Sequence, residues 1–392
     1  MQINRLASID SLRAFTMLLM IWVNDFWSLK GIPKWLQHAD YGEDYLGFSD
    51  IIFPLFLFLV GLSIPLAIDH RLHKGHSTAS VSKHIISRSI ALIVIGLFMV
   101  NYETIHDQSI PVTRLWYCLL LGLAILLVWM DWNTSPINKR WAQVLKISGL
   151  GLLVFLAAIY RGGEQGELWM TKQWWGILGL IGWAYLASAL GYLLSKNKLS
   201  INLIIFFTFF ILCFLQFSIE MPSLPSSLSF LNVIYSGRTI AITLAGVCTT
   251  MALRTTPKRE RLTLLSLTIL GITFVVIGLF TRPIWGISKI SGTPPYMSIC
   301  IGISLLTYLS FYLLIDKMKL GNWLSPIKAA GTATFMCYML PYLAYPILAF
   351  IGIKLPEDYY TGILGLINSM LFALTIILIT QYLKNQHFKL KL

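Results

Sequence analysis

Read for polarity alone, the chain is a succession of long apolar runs broken by short polar segments. A helix that crosses a bilayer needs about 20 mostly apolar residues. Windows of that kind fall at 12–29, 51–69, 85–101, 112–131, 143–160, 174–195, 199–219, 236–253, 261–281, 297–315, 329–353 and 361–383. A run that is apolar all round, rather than along one stripe, belongs to a helix surrounded by lipid or by other helices. The pattern predicts an all-α fold, a polytopic transmembrane helix bundle of about 11–12 spans, organised as one integral-membrane domain over residues 1–392. The opening stretch "MQINRLASIDSLRAFTMLLMIWVNDFW" has a basic start and an apolar centre, but it lacks a small-residue cleavage site and ends on Asn24 and Asp25. It reads as a retained first span rather than a removed leader.

Composition supports this reading. Hydrophobic residues make up 56% of the chain and charged residues only 12%, against about a quarter charged in soluble domains. The net charge of +13 is spread in single bases and short clusters between apolar runs. That is how inner loops of membrane proteins look, and it argues against nucleic acid as a partner. With the N-terminus inside, 21 of the 30 Lys and Arg residues, Arg5 among them, fall on inner segments and 9 on outer ones. Both termini are therefore expected in the cytoplasm. The five cysteines lie within or beside apolar runs, with no CxxC pair and no histidine at ligand spacing, so neither disulfides nor a metal site is expected. The outer loops are short, and any active site must be built from helix ends and the cavity between them.

Polar and ionisable groups at span ends are costly unless paired or wet, which makes them the first functional candidates. Asn24 and Asp25 end the first span, His38 lies in "WLQHADYGEDYLGFSD", and Asp50 opens the second span. A histidine held by a carboxylate is the usual general base near neutral pH; the alternative is that His38 is simply a polar loop residue. Asp10 and Arg13, at i, i+3 on the first span, have ion-pair spacing and read equally as an interfacial anchor or as ligand contacts. Arg71 and Lys74 sit in the histidine-rich inner loop "DHRLHKGHSTASVSKH", a solvated connector whose bases also suit the phosphates of a nucleotide. The segment "SKISGTPPYMS" places Lys289 and Thr293 in a rigid turn before a span, at the mouth of a pocket or in a plain connection. The exposed carboxylates Asp40, Glu43 and Asp44 suit a cationic acceptor.

The stretches "RLASIDSLRAFTMLLMIWVND", "HADYGEDYLGFSDIIFPLFLFLVGLSIPLAI", "ISKISGTPPY" and "GTATFMCYMLPYL" resemble the transmembrane acyltransferases related to heparan-alpha-glucosaminide N-acetyltransferase, including bacterial relatives. The likeness runs from about Arg5 to about Leu343 and is most specific over the first two spans and their loop. The family's usual His-Ala-x-Trp-Asn-Gly is here "HADYGED", and Ala14 stands where the family has glycine. The resemblance implies transfer of an acetyl group from cytoplasmic acetyl-CoA to the amino group of a glucosamine-type sugar on the other side of the membrane. It makes His38 the catalytic histidine, with Asn24 and Asp50 beside it. His38 would act as base or carry the acetyl group itself. Asp10, Arg13, Arg71 and Lys74 would then face acetyl-CoA, and Asp40, Lys289 and Thr293 the acceptor. Relatives suggest a homodimer, and the short loops and positive-inside pattern suggest a bacterial inner membrane. A sugar permease is the competing reading, with Asn101, Gln216, Arg238 and Asn368 along its path; it requires polar groups at mid-membrane, whereas the candidates here gather at one end. A structural subunit, a third reading, would tolerate loss of His38.

Overall fold

A computed structural model describes residues 6–135 and 137–391; Arg5 of the sequence reading lies outside them. The α-helices are α1 (Ala7–Asn24), α2 (Phe48–His73), α3 (Thr78–Glu103), α4 (Arg114–Trp129), α5 (Lys139–Ile159), α6 (Gly176–Leu194), α7 (Leu199–Ser218), α8 (Asn232–Tyr235), α9 (Arg238–Thr255), α10 (Glu260–Trp285), α11 (Pro294–Phe311), α12 (Lys328–Thr332), α13 (Thr334–Ile351) and α14 (Gly362–Asn385). Among the described residues β-structure is confined to isolated bridges. Each expected apolar window falls on helix, with 329–353 covering two, α12 and α13. Among the described residues ten helical segments are long and apolar enough to cross a membrane; α4, with 16 residues, is apolar but shorter, and α1 carries Asp10 and Arg13 within its 18. This is an all-α, polytopic integral membrane protein.

Helix limits differ from those read in the sequence at several places: α2 runs on to His73 and α3 starts at Thr78, so Arg71 and most of the expected inner loop are helical, and two further differences have a clear cause. The first helix runs from Ala7, not residue 12, because the Asp316 carboxylate accepts from the backbone N–H groups of Ala7 (3.1 Å) and Ser8 (3.3 Å). A carboxylate there meets orphan donors and the positive end of the helix dipole together. The window 329–353 is interrupted at Ala333, where the backbone (φ −125°, ψ 43°) leaves the helical region between α12 and α13.

The chain forms two compact units. The first comprises Met1–Thr16, Pro33–Ile90 and Leu180–Trp323. Its interior is built on α2 and α11, with 61% and 67% of their apolar windows buried, whereas α7 and α10 bury only 22% and present the rest outward. Lipid offers little hydrophobic drive between helices, so close approach through small residues does the packing. A Cβ on Gly61 of α2 would lie 1.8 Å from the Thr243 carbonyl oxygen, and one on Gly246 of α9 would lie 2.1 Å from that of Phe58. Gly302 of α11 stands in the same relation to Gly271 of α10, at 2.5 Å.

The second unit comprises Met17–Ile32, Ala91–Gly179 and Leu324–Leu392. Here Gly122 of α4 meets Leu343 of α13, and Gly149 of α5 meets Leu127 of α4. Asn101 on α3 ties the loop before α6. Its amide donates to the Leu97 and Thr171 carbonyls at 2.7 Å each, and its oxygen accepts from the Thr171 N–H at 3.0 Å. Asp25, just past α1, is buried and accepts from the Tyr345 hydroxyl at 2.7 Å.

Candidate active site

The site grows from the start of α2. Gly47 precedes the helix in extended conformation, and Asp50, in the first turn, turns its carboxylate back: Oδ2 accepts from the Gly47 N–H at 3.1 Å. The loop carrying His38 is drawn onto the same helix end. The Ser49 hydroxyl donates to the Leu36 carbonyl, and Asp50 Oδ2 also accepts from the Ala39 N–H at 3.0 Å. Contact is tight enough that a Cβ on Gly47 would fall 1.8 Å from the Gln37 carbonyl oxygen. His38 is thereby brought back over Asp50, its Nδ1 lying 2.7 Å from Oδ1. Asp50 is fully buried, while the His38 side chain is 43% exposed, so the carboxylate is sealed behind an imidazole that faces outward.

A second loop, between α10 and α11, completes the group. Gly286 (φ +65°) turns the chain out of α10 in a conformation that favours glycine. The Ile287 N–H then donates to Asp44 Oδ1 at 2.6 Å, and the Tyr45 N–H to the Ile287 carbonyl at 3.1 Å. Within this loop the Thr293 hydroxyl donates to the Gly286 carbonyl at 2.8 Å and accepts from the Ser288 N–H at 3.1 Å. The Arg238 guanidinium donates to the Ser291 carbonyl at 2.6 Å. Held in this way, Lys289 places Nζ 2.9 Å from His38 Nδ1 and 3.4 Å from Asp50 Oδ1. Burial lowers the pKa of Lys289 from its ordinary value, against the opposing pull of the Asp50 carboxylate. From beneath, the buried Tyr296 hydroxyl donates to the Asp50 backbone carbonyl at 2.9 Å.

His38, Asp50 and Lys289 are therefore brought together. Thr293 lies in the same loop but is buried, with its hydroxyl engaged by backbone. Asp40 is exposed on the rim and its N–H donates to Glu43. Of the other rim carboxylates, Glu43 pairs with Lys34, and Asp44 takes Arg282 Nε at 2.9 Å together with the Ile287 N–H. Two of the three carboxylates that suited a cationic acceptor thus serve the loop itself. Asn24 belongs to the second unit, where it is the exposed last residue of α1.

At the opposite end of α2 the residues read as facing acetyl-CoA have these surroundings. Arg13 pairs with Asp10 at 3.0 Å and donates to the Ser63 hydroxyl at 2.6 Å. Arg71 meets His84 at 2.9 Å, and Lys74 ends α2, its N–H donating to the His70 and Arg71 carbonyls. The sequence reading passed over Asp69, which is buried and held by the Tyr192 hydroxyl at 2.8 Å and by Arg254 at 2.7 Å. Its signal was present, an aspartate at the end of an apolar window. The amide of Gln216 donates to the Tyr235 carbonyl at 2.7 Å. With Asn101 and Arg238 it thus anchors loops. Gln216, Glu220, Asn232, Tyr235, Ser236 and Arg238 line part of a cavity of about 1010 Å³, which the Arg238–Ser291 bond joins to the loop of Lys289. Among the described residues no cluster of ligands suits a metal ion.

Residues 5–112, the stretch that holds His38 and Asp50, match the family model described as heparan-alpha-glucosaminide N-acetyltransferase, catalytic. The chain is similar to the heparan-alpha-glucosaminide N-acetyltransferase of Mus musculus, 34% identical over 99 residues, and to that of Homo sapiens, 36% identical over 98 residues. Each match covers 25% of this chain and 14% of the relative. Over residues 5–112, which hold its first three helices and the loops between them, this chain is related to the catalytic region of the heparan-alpha-glucosaminide N-acetyltransferases.

Proposed function

We propose that the protein is a membrane-embedded acyl-CoA-dependent N-acyltransferase, moving an acetyl group from acetyl-CoA on the cytoplasmic side to the amino group of a glucosamine-type sugar on the extracytoplasmic side. The observation that carries this reading is the 2.7 Å contact of His38 Nδ1 with the buried Asp50 carboxylate, inside the stretch related to a catalytic region. A thioester is already activated, so the enzyme must deprotonate the amine, hold it near the carbonyl and stabilise the oxyanion. With the Nδ1–H donating to the Asp50 carboxylate, the ring presents Nε2 with its lone pair outward. Nε2 takes a proton from the amine as nitrogen attacks the carbonyl carbon; the C–S bond then breaks, and the proton leaves with the CoA sulfur as thiol.

The acceptor side is assigned to Asp40, Lys289 and Thr293, with Thr293 acting through the loop it fixes. The polar cavity beside Arg238 has the size of a small-molecule site and suits hydroxyl-rich sugars. Asp10, Arg13, Arg71 and Lys74 are assigned to the nucleotide end, the bases by charge toward its phosphates. A bacterial inner membrane, cytoplasmic termini and a homodimer complete the reading. The test is CoA release by detergent-purified protein with glucosamine and then a panel of amino sugars. Acceptor-dependent release that disappears in His38→Ala supports the proposal. No release with any acceptor, together with no acetyl-CoA-dependent thermal shift, refutes it.

A further inference from the structure

Lys289 is itself a primary amine held against the base. Its Nζ lies 2.9 Å from His38 Nδ1, and Asp50 Oδ1 lies 2.7 Å from that same ring nitrogen. One nitrogen has one in-plane position, so it either gives a proton to Asp50 or accepts one from Lys289. In the second state the Lys289 ammonium is aimed at a general base that itself lies against the Asp50 carboxylate.

We propose that Lys289 is an internal acyl acceptor: His38 deprotonates it, and in the absence of an external amine the acetyl group is transferred to Lys289 Nζ. The inference rests on the acyl-transfer reading above. The step balances. The ammonium gives one proton to His38 Nδ1, which passes it to water. The freed lone pair attacks the thioester carbonyl, the N–C bond forms and the C–S bond breaks. The second nitrogen proton leaves with CoA as the thiol, and Nζ becomes a neutral acetamide.

The surroundings favour this lysine over others. Its side chain is 29% exposed, so a donor that reaches the half-open His38 also reaches Nζ. The backbone on both sides is fixed by Asp44, Thr293 and Arg238, which limits the entropy lost on approach. The lowered pKa noted above makes the neutral amine more available than in a free lysine. The titratable groups facing Lys289 are His38 from its loop, Asp50 from α2 and Cys300 from α11; Tyr296 faces Asp50 and Cys300 in turn. Acetylation removes the charge that pairs with Asp50 and adds bulk beside His38, so the modified protein is an inactive form that accumulates when acceptor is scarce.

The experiment is peptide mapping by mass spectrometry after incubation of the full-length protein with acetyl-CoA and no amine acceptor. The parallel samples are His38→Ala, Lys289→Arg and wild type with excess glucosamine. The expected result is an acetyl group on Lys289 that survives hydroxylamine, reduced about 100-fold in His38→Ala and suppressed by glucosamine. A hydroxylamine-labile acetyl group on His38 with Lys289 unmodified, or acetylation of Lys289 at the level of exposed lysines regardless of His38, would overturn the proposal. A second arm uses a small water-soluble acetyl ester in place of acetyl-CoA. Selective, His38-dependent labelling of Lys289 by the ester alone upholds the internal acceptor and places the failure on acetyl-CoA as donor. No selective labelling in either arm rejects the internal acceptor.

Discussion

Replacing Asp50 by asparagine tests the site most directly, because the substitution keeps shape and changes only charge and hydrogen-bond polarity. Asp50 is fully buried and its two oxygens have divided duties: Oδ2 accepts from the Ala39 and Gly47 N–H groups, and Oδ1 faces His38 Nδ1 at 2.7 Å and Lys289 Nζ at 3.4 Å. In the Asp50→Asn protein the side-chain amide oxygen takes the Oδ2 place, since only an oxygen satisfies two backbone donors. The new NH₂ group then points at His38 Nδ1 and faces the Lys289 ammonium. A donor in that position forces the ring proton onto Nε2, and the outward nitrogen no longer accepts a proton. Where a histidine–carboxylate pair has been converted in this way, the wrong tautomer costs about 10⁴ in rate, equivalent to about 5.5 kcal/mol of barrier. The loss of folding stability is smaller. Two charge-assisted contacts of about 1.5–3 kcal/mol each are weakened, but His38 and Lys289 are both partly exposed, so water recovers much of this and a net cost of about 1–3 kcal/mol is expected. The assay is the rate of acceptor-dependent CoA release in detergent, with thermal unfolding followed on the same preparations. An Asp50→Asn protein that is folded and retains more than about a tenth of the wild-type rate would refute the role given to the His38–Asp50 pair.

Other outcomes are expected. Gly47→Ala drives a Cβ onto the Gln37 carbonyl; the overpacking costs about 1–3 kcal/mol, lowers the melting temperature and, by shifting the His38 loop, reduces CoA release at unchanged protein concentration. Arg254→Met leaves the buried Asp69 with only the Tyr192 hydroxyl. Removing one partner of a buried pair costs about 3–5 kcal/mol, discounted here to about 2–3 kcal/mol because Arg254 is 35% exposed; Tyr192→Phe costs about 1 kcal/mol, and thermal melts rank the two. The Ile287 N–H, and after it Arg282, hold Asp44 below its ordinary pKa. Its folded pKa is therefore below its unfolded value of about 3.9, so its stabilisation is fully present above that value and is lost as pH falls through the folded pKa. Melting temperatures measured from neutral pH down to about pH 3 should fall less steeply in Asp44→Asn than in wild type; parallel curves would contradict the assignment.

The run of apolar residues is a local property, and it determined the helices: apart from the break at Ala333, each expected window is helical because lipid leaves the backbone no other way to satisfy its polar groups. The same logic made His38 and Asp50 candidates, since polar groups beside apolar runs stand out against their surroundings. Local pattern could not supply the partners. Twelve positions separate His38 from Asp50, and hydrogen bonds such as Ser49–Leu36 and Ala39–Asp50 fold the intervening loop back so that the two side chains meet. Lys289 lies 251 positions from His38, and Asp316 caps a helix that starts 309 positions before it. Asp44 read as a carboxylate awaiting a cationic acceptor, yet Arg282, 238 positions away, occupies it. Such contacts depend on how glycine-lined helices such as α2, α9, α10 and α11 approach one another and so where their ends come to rest. Hydrophobic periodicity describes the solvent that each helix meets; the identity of the neighbour at each end is set by three-dimensional packing, and it is there that a loop histidine acquires its carboxylate and its lysine.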